Sequence, residues 1–418
     1  MAMSQHSASR PFLGPQIVGV ACLTLMGAFG LNLTGGQFFA PLSAAYGWSL
    51  PTLSLAVAIN AIVWGLFQPV MGTLIDRFGP KPVIASSTAL MGIAFLLSAS
   101  LNQLYQFFFY YGVLAAIGFA GCSSLANSVL VSKWYSRRRA VMLARSSLGI
   151  NFGQLALLPL TGWLIDYANF RVSFAVLGSI MLLGVVPAVL FWVRDDPEAA
   201  GQRPDGNLSP PSERAQSKPQ AAKVDPSQVL QNKDFWLTTI GFVSCGYSLY
   251  LVTMHLPKHA IDLGGGAALG GQLLGIAAAA SAVSMWTTGQ LARSYQKRTI
   301  LVPLYLIRAA AFAWLALAPG IGALYLFAIV YGLSSFPVIP MVTGIVGSRF
   351  GISKMGLVLG SAWLLHQVFA ALGIFLGGFL RSATGDYTLA FWSCAAMLAL
   401  GGIVTFFVDE RPRQTVRV

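Results

Sequence analysis

Twelve runs of mostly apolar residues divide this 418-residue chain. A helix that crosses a bilayer needs roughly 20 such residues. The runs fall at 15–40, 52–75, 82–101, 104–133, 139–165, 171–193, 236–258, 267–292, 299–318, 321–348, 354–381 and 387–408. Strand-period alternation is absent, which argues against an outer-membrane barrel. The segment 194–235 breaks the pattern with Pro, Gly, Ser and mixed charge, and it reads as a linker. The expected architecture is an all-α membrane protein: a tail (1–14), a six-helix bundle (15–193), the linker (194–235), a second six-helix bundle (236–408) and a tail (409–418).

Only 9% of the residues are charged, against about 25% in soluble proteins. That excludes a soluble enzyme, a disordered chain and a nucleic-acid binder. The net charge of +13 then needs a topological explanation. Outside the linker, fifteen Lys and Arg residues of the tails and alternate loops fall on the linker's side. Three fall on the other: Arg171, Lys258 and Arg381. Such asymmetry marks the cytoplasmic side, so both termini are expected there. The first apolar run is longer than the core of a signal peptide and is read as a span. Cys22, Cys122, Cys245 and Cys394 are scattered in apolar stretches, so no metal or disulfide pattern is expected. No nucleotide motif is present, and no cofactor is expected.

Two loops occupy equivalent places, each two spans into its half. The first reads Gly72-Thr-Leu-Ile-Asp76-Arg77-Phe-Gly79-Pro80-Lys81, and the second Gly289-Gln-Leu-Ala-Arg293-Ser-Tyr-Gln-Lys297-Arg298. Two parallel six-span repeats would place them so. The first resembles the G-x-L-x-D-R-x-G-R-K signature of the major facilitator superfamily. That resemblance implies a conformational latch at Gly72, Asp76, Arg77 and Gly79. The second copy has Arg293 where the acid would stand. Further stretches resemble bacterial monocarboxylate-transporter-like and oxalate:formate-antiporter-like carriers. These are Lys133-Trp-Tyr-Ser-Arg137-Arg-Arg139, Ala40-Pro41-Leu-Ser-Ala-Ala-Tyr-Gly47-Trp48-Ser49, and Met254-His255 through Asp262-Leu-Gly264.

Ionisable residues inside spans default to functional candidates. Here they are Arg145, Arg308, His366 and, near one end, His255. All thirteen acids are expected outside span interiors. A cavity with cationic or protonatable groups and no carboxylate favours an anion. His366 falls where the antiporter resemblance places a substrate-binding lysine. Its ordinary pKa of about 6.5 suits either anion binding or proton coupling. Asn32, Gln37, Asn127, Asn151, Tyr250, Tyr331 and Trp363 complete the expected lining, although each type more often ties helices together. The sequence departs from the carriers it resembles at span 8, where Met285-Trp286-Thr287 replaces their arginine.

The expected function is secondary transport of a small organic anion, a monocarboxylate above all, by proton symport or anion exchange. The expected setting is a bacterial inner membrane and the expected state a monomer. The competing expectation is transport of an amphipathic compound such as an antibiotic or siderophore. A receptor without translocation and a membrane-embedded enzyme fit less well, since no signalling domain or nucleophile constellation is present.

Overall fold

A computed structural model describes residues 11–136, 138–206, 231–292, 294–317, 320–350 and 352–410. Among them are twelve helices long and apolar enough to cross a membrane. The first six are α1 (Gly14–Tyr46), α2 (Leu50–Phe78), α3 (Pro80–Ser98), α4 (Leu104–Trp134), α5 (Val141–Tyr167) and α6 (Phe170–Trp192). The second six are α7 (Lys233–Asp262), α8 (Ala267–Leu291), α9 (Lys297–Leu317), α10 (Ile321–Val346), α11 (Ser361–Thr384) and α12 (Thr388–Phe406). No strand occurs among the described residues. The tails 1–10 and 411–418, linker residues 207–230, Arg137 and Arg293 lie outside the described residues, as do the side chains of Arg139, Arg349 and Lys354.

The twelve expected spans correspond one for one to these helices, with two adjustments. Gly72, Asp76 and Arg77 belong to the last two turns of α2, and only Gly79 lies in the turn. Asp166 and Asp262 sit in the last turns of α5 and α7 rather than in loops. Both acids still lie at helix ends, where hydration or a neighbouring helix terminus can satisfy them. The interiors of the described helices carry no carboxylate.

Each half ties its sixth helix to the start of its third. Asp195, just past α6, accepts a hydrogen bond from the Lys81 backbone N–H at 2.6 Å. Glu410, past α12, accepts from the backbone N–H groups of Lys297, at 3.1 Å, and Arg298. A carboxylate at a helix N-terminus satisfies orphan donors and meets the positive end of the helix dipole. Gly79 fits this arrangement doubly. Its φ of +86° requires glycine, and a Cβ there would lie 3.0 Å from the Asp195 carboxyl carbon.

The ends bearing the N-terminus and the linker define one face of the bundle, here the linker face. The halves are sealed against each other at the opposite, far face. There α5 packs on α8 and α2 on α11. A Cβ at Gly36 would collide with the Met254 carbonyl, and one at Gly271 with the Leu158 carbonyl. A Cβ at Gly162 would stand 2.6 Å from the Ala267 carbonyl oxygen. Backbones in such contact are how helices associate when lipid is as apolar as their side chains. Asp166 adds a polar clasp. Its two carboxylate oxygens accept from the backbone N–H groups of Ala267 at 3.0 Å and Ala268 at 2.7 Å, the first turn of α8.

Asp166→Ala removes both bonds, together about 1–2 kcal/mol for a cap with helix-dipole assistance. In a background lacking the four native cysteines, the variant should make a cysteine at Leu158 react faster with an impermeant maleimide from the far face. An unchanged labelling rate would show that the clasp does not hold this seam shut.

Candidate substrate site

Arg308 lies about 16 Å into a helix about 31 Å long, at 1.5 Å per residue. It is fully buried, on the face of α9 that meets α7 and α10. One guanidinium nitrogen donates to Cys245 Sγ and Ser248 Oγ of α7, both at 3.4 Å. The other donates to the Ser334 carbonyl of α10. The guanidinium carbon stands 5.8 Å from the Tyr331 ring centre. Among the described residues, its Nε–H has no partner and no carboxylate pairs with it. A buried cation without an acid is expensive unless something else compensates it.

His366 packs from α11 against the same stretch of α7. It is buried, its ring centre 4.4 Å from that of Phe242 on α7 and 5.0 Å from that of Trp363. Gly246 of α7 permits this approach, since a Cβ there would lie 2.9 Å from the imidazole. Nδ1 is 2.9 Å from Gln367 Oε1, and Nε2 has no partner. Arg308 lies within Coulombic range of His366. Gln367 Nε2 is likewise unpaired. Its side chain faces Tyr250 of α7 and lies beside Gly65 of α2, so it reaches the seam between the halves. Three nitrogens of one half (Arg308 Nε, His366 Nε2 and Gln367 Nε2) are thus buried and unsatisfied, at about 1–3 kcal/mol each.

The remaining expected residues divide. Tyr250 and Tyr331 are buried here, with Tyr331 donating to the Leu249 carbonyl at 3.3 Å. Trp363 is half-buried against His366. From the first half, the Asn32 backbone carbonyl accepts from Tyr111 at 2.8 Å while its side-chain oxygen stays free. Asn151 points at Met285 of α8, 3.7 Å away. Gln37 donates to the Leu158 carbonyl at 3.1 Å and ties α1 to α5. Asn127 donates to the carbonyls of Cys122 and Ser123 at 2.8 and 3.0 Å, repairing a break in α4 where Ser123 is extended. Arg145 is exposed near the linker end of α5, away from this cluster. Asp76 and Arg77 are exposed, and Arg77 lies over the Phe78 ring.

Three features escaped the sequence reading. Gln367, next to His366 on α11, is one. Asp166 is another. The third is the extension of a hydroxyl stripe to Ser128 and Ser132 on the linker half of α4. Ser124 and Ser128 are exposed and Ser132 half-buried, one turn apart, beside a recess of about 300 Å³ reaching Lys133. Exposed hydroxyls at that spacing suit water better than lipid.

His255 is engaged elsewhere, at the far face. Its Nε2 lies 2.7 Å from the Ile374 carbonyl and its Nδ1 3.2 Å from the Tyr387 hydroxyl. Burial, and then the Asp262 carboxylate, push the Tyr387 phenol well above its ordinary value, so it remains a hydrogen-bond donor.

Comparison with known proteins decides the family. The Major Facilitator Superfamily profile matches residues 20–374. The chain belongs to the Major Facilitator Superfamily. It is a multi-pass membrane transporter, and neither the family nor these relatives are enzymes. It is 23% identical over 408 residues to "Uncharacterized MFS-type transporter YcxA" of Bacillus subtilis, covering 94% of this chain and 95% of that one. It is 25% identical over 420 residues to human "Monocarboxylate transporter 11", covering 96% and 85%. With bovine "Monocarboxylate transporter 13" identity is 23%, over 89% and 84%. A bacterial homolog of the human lysosomal transporter Spinster, solved inward-facing and unoccupied, shares the fold with a TM-score of 0.70 at 13% identity, covering 96% and 95%.

Because no acid among the described residues offsets Arg308, Arg308→Met in this superfamily transporter should leave thermal stability unchanged or raise it slightly. A fall of about 10 °C in the melting temperature would instead make the guanidinium a structural strut.

Proposed function

We propose that this transporter moves a small organic anion, a monocarboxylate above all, by alternating access between its two six-helix halves. The observation that carries this reading is Arg308: a guanidinium buried mid-bundle, with a free Nε–H and no carboxylate among its partners. An incoming carboxylate would supply the missing counter-charge. His366 Nε2 and Gln367 Nε2, unpaired in the same half, are the further groups such an anion would meet. Tyr250, Tyr331 and Trp363 fit the walls around its carbon skeleton, and Asn32 and Asn151 the opposing half.

In this reading His366 carries the coupled proton in symport, and anion exchange is the alternative coupling. Arg145, exposed towards the linker end of α5, acts on the approach path rather than at the midplane. Asp76 and Arg77 serve as the latch when the linker face closes. The two tails and the linker lie in the cytoplasm of a cell with the protein in its inner membrane, and the working unit is a monomer. The monocarboxylate-transporter relatives favour the same substrate class at low identity.

The test is a thermal-shift screen of organic acids at about pH 5.5 and about pH 7.5, followed by uptake into proteoliposomes. Bound ligand stabilises by mass action, and a carrier that takes up a proton with its anion should be stabilised more at the lower pH. Monocarboxylates should stabilise the protein and drive uptake. His366→Ala should abolish that uptake or remove its pH dependence while the protein stays folded. Stabilisation by neutral or cationic amphiphiles alone would overturn the anion reading in favour of an amphipathic cargo.

A further inference from the structure

We infer that Gln367 is a positioning residue that fixes the tautomer of His366, leaving Nε2 as the bare, proton-accepting nitrogen of the site. A carboxamide oxygen only accepts hydrogen bonds. His366 Nδ1, 2.9 Å from Gln367 Oε1, therefore carries the hydrogen. A neutral imidazole has one N–H, so Nε2 holds the lone pair. That nitrogen is buried and meets no donor.

His255, in the same half, shows the opposite arrangement. Its Nε2 faces the Ile374 carbonyl at 2.7 Å, which also only accepts, so there Nε2 carries the hydrogen. Its Nδ1 lone pair receives the Tyr387 hydroxyl at 3.2 Å. Both nitrogens of His255 are satisfied, and the residue is a peg between α7, α11 and Tyr387. Two buried histidines are thus held as opposite tautomers, one closed and one with an open nitrogen.

The surroundings of His366 limit what can reach that nitrogen. From α7 it meets Phe242 and Gly246, and from α11 Trp363 and Gln367. Arg308 of α9 is the charged group acting on it, and Tyr250 of α7 faces its partner Gln367. No carboxylate belongs to this set. A proton placed on Nε2 creates a second cation near Arg308, and an anion between the two relieves the repulsion.

A carboxylic acid supplies both at once. Its O–H bond breaks, the proton forms an N–H bond at Nε2, and the carboxylate remains between imidazolium and guanidinium with no net change in charge. Release reverses the step. This role in transport rests on the carboxylate reading above, whereas the tautomer itself does not.

The experiment is nitrogen NMR of the full-length protein labelled with ¹⁵N-histidine, with resonances assigned through His366→Ala and His255→Ala. At neutral pH His366 should show a protonated Nδ1 and a bare Nε2, and His255 the reverse. Gln367→Leu should let His366 populate both tautomers, and Gln367→Glu should restore the Nδ1–H form. Wild-type His366 protonated at Nε2, or an unaltered His366 signal in Gln367→Leu, would overturn the inference.

Uptake of propionate and 2-hydroxypropionate against pH provides the second readout. Gln367→Leu should flatten the profile, and Gln367→Glu should move its midpoint upward because a carboxylate holds the imidazolium. A Gln367→Leu profile identical to that of the wild type overturns the positioning role. If neither acid is moved by the wild type, the carboxylate reading fails for these probes, and the spectra alone decide the tautomer.

Discussion

Helices in a bilayer gain little by hiding apolar side chains from one another, so this fold depends on backbones that touch. The contacts at Gly149 and Gly153 bring α5 onto the Cys22 and Met26 carbonyls of α1 within the first half. Gly162 and Gly271 do the same between α5 and α8, and so join one half to the other. The same device therefore builds the bundles and seals them together. Contacts of this kind have no tolerance for an added methyl group, which makes each either made or broken. An interface of that sort switches between arrangements rather than deforming gradually.

Much of this was legible in the sequence. Twelve apolar runs translate directly into twelve helices, because the bilayer leaves a spanning segment few alternatives. The helix ends were less legible. Polar residues such as Asp76 and Asp166 look like loop residues by hydropathy. They stay helical because a helix can run past the apolar layer and let its last turn meet water or another helix. The internal repeat was read from a motif whose second copy is degraded. It is clearer in Asp195 and Glu410, two acids that follow the sixth helix of each half and cap the third. No local pattern announces that pairing, since each acid lies more than 110 residues from the backbone it caps.

The candidate site was half legible. Arg308 and His366 stand out because an ionisable group inside a span demands a reason, and both pack against the same stretch of α7. Asn127 and Gln37 answered to the same polar criterion but turn out to repair a helix break and tie two helices together. The difference lies in which backbone carbonyls happen to be free nearby, which only the packed chain determines. Gln367 was passed over for the converse reason. Next to a histidine, a glutamine looks like a spectator until the direction of its carboxamide is known.

The Asp195 and Glu410 caps also affect how force travels along the chain. Each fastens its half into a closed belt at the point where the bundle ends. Asp195 lies at the start of the polar segment that connects the halves. A pull transmitted through that segment is taken up by the belt and delivered to the whole bundle, not to a single fraying helix. What a load can then move is one belted block against the other, at the seam between them.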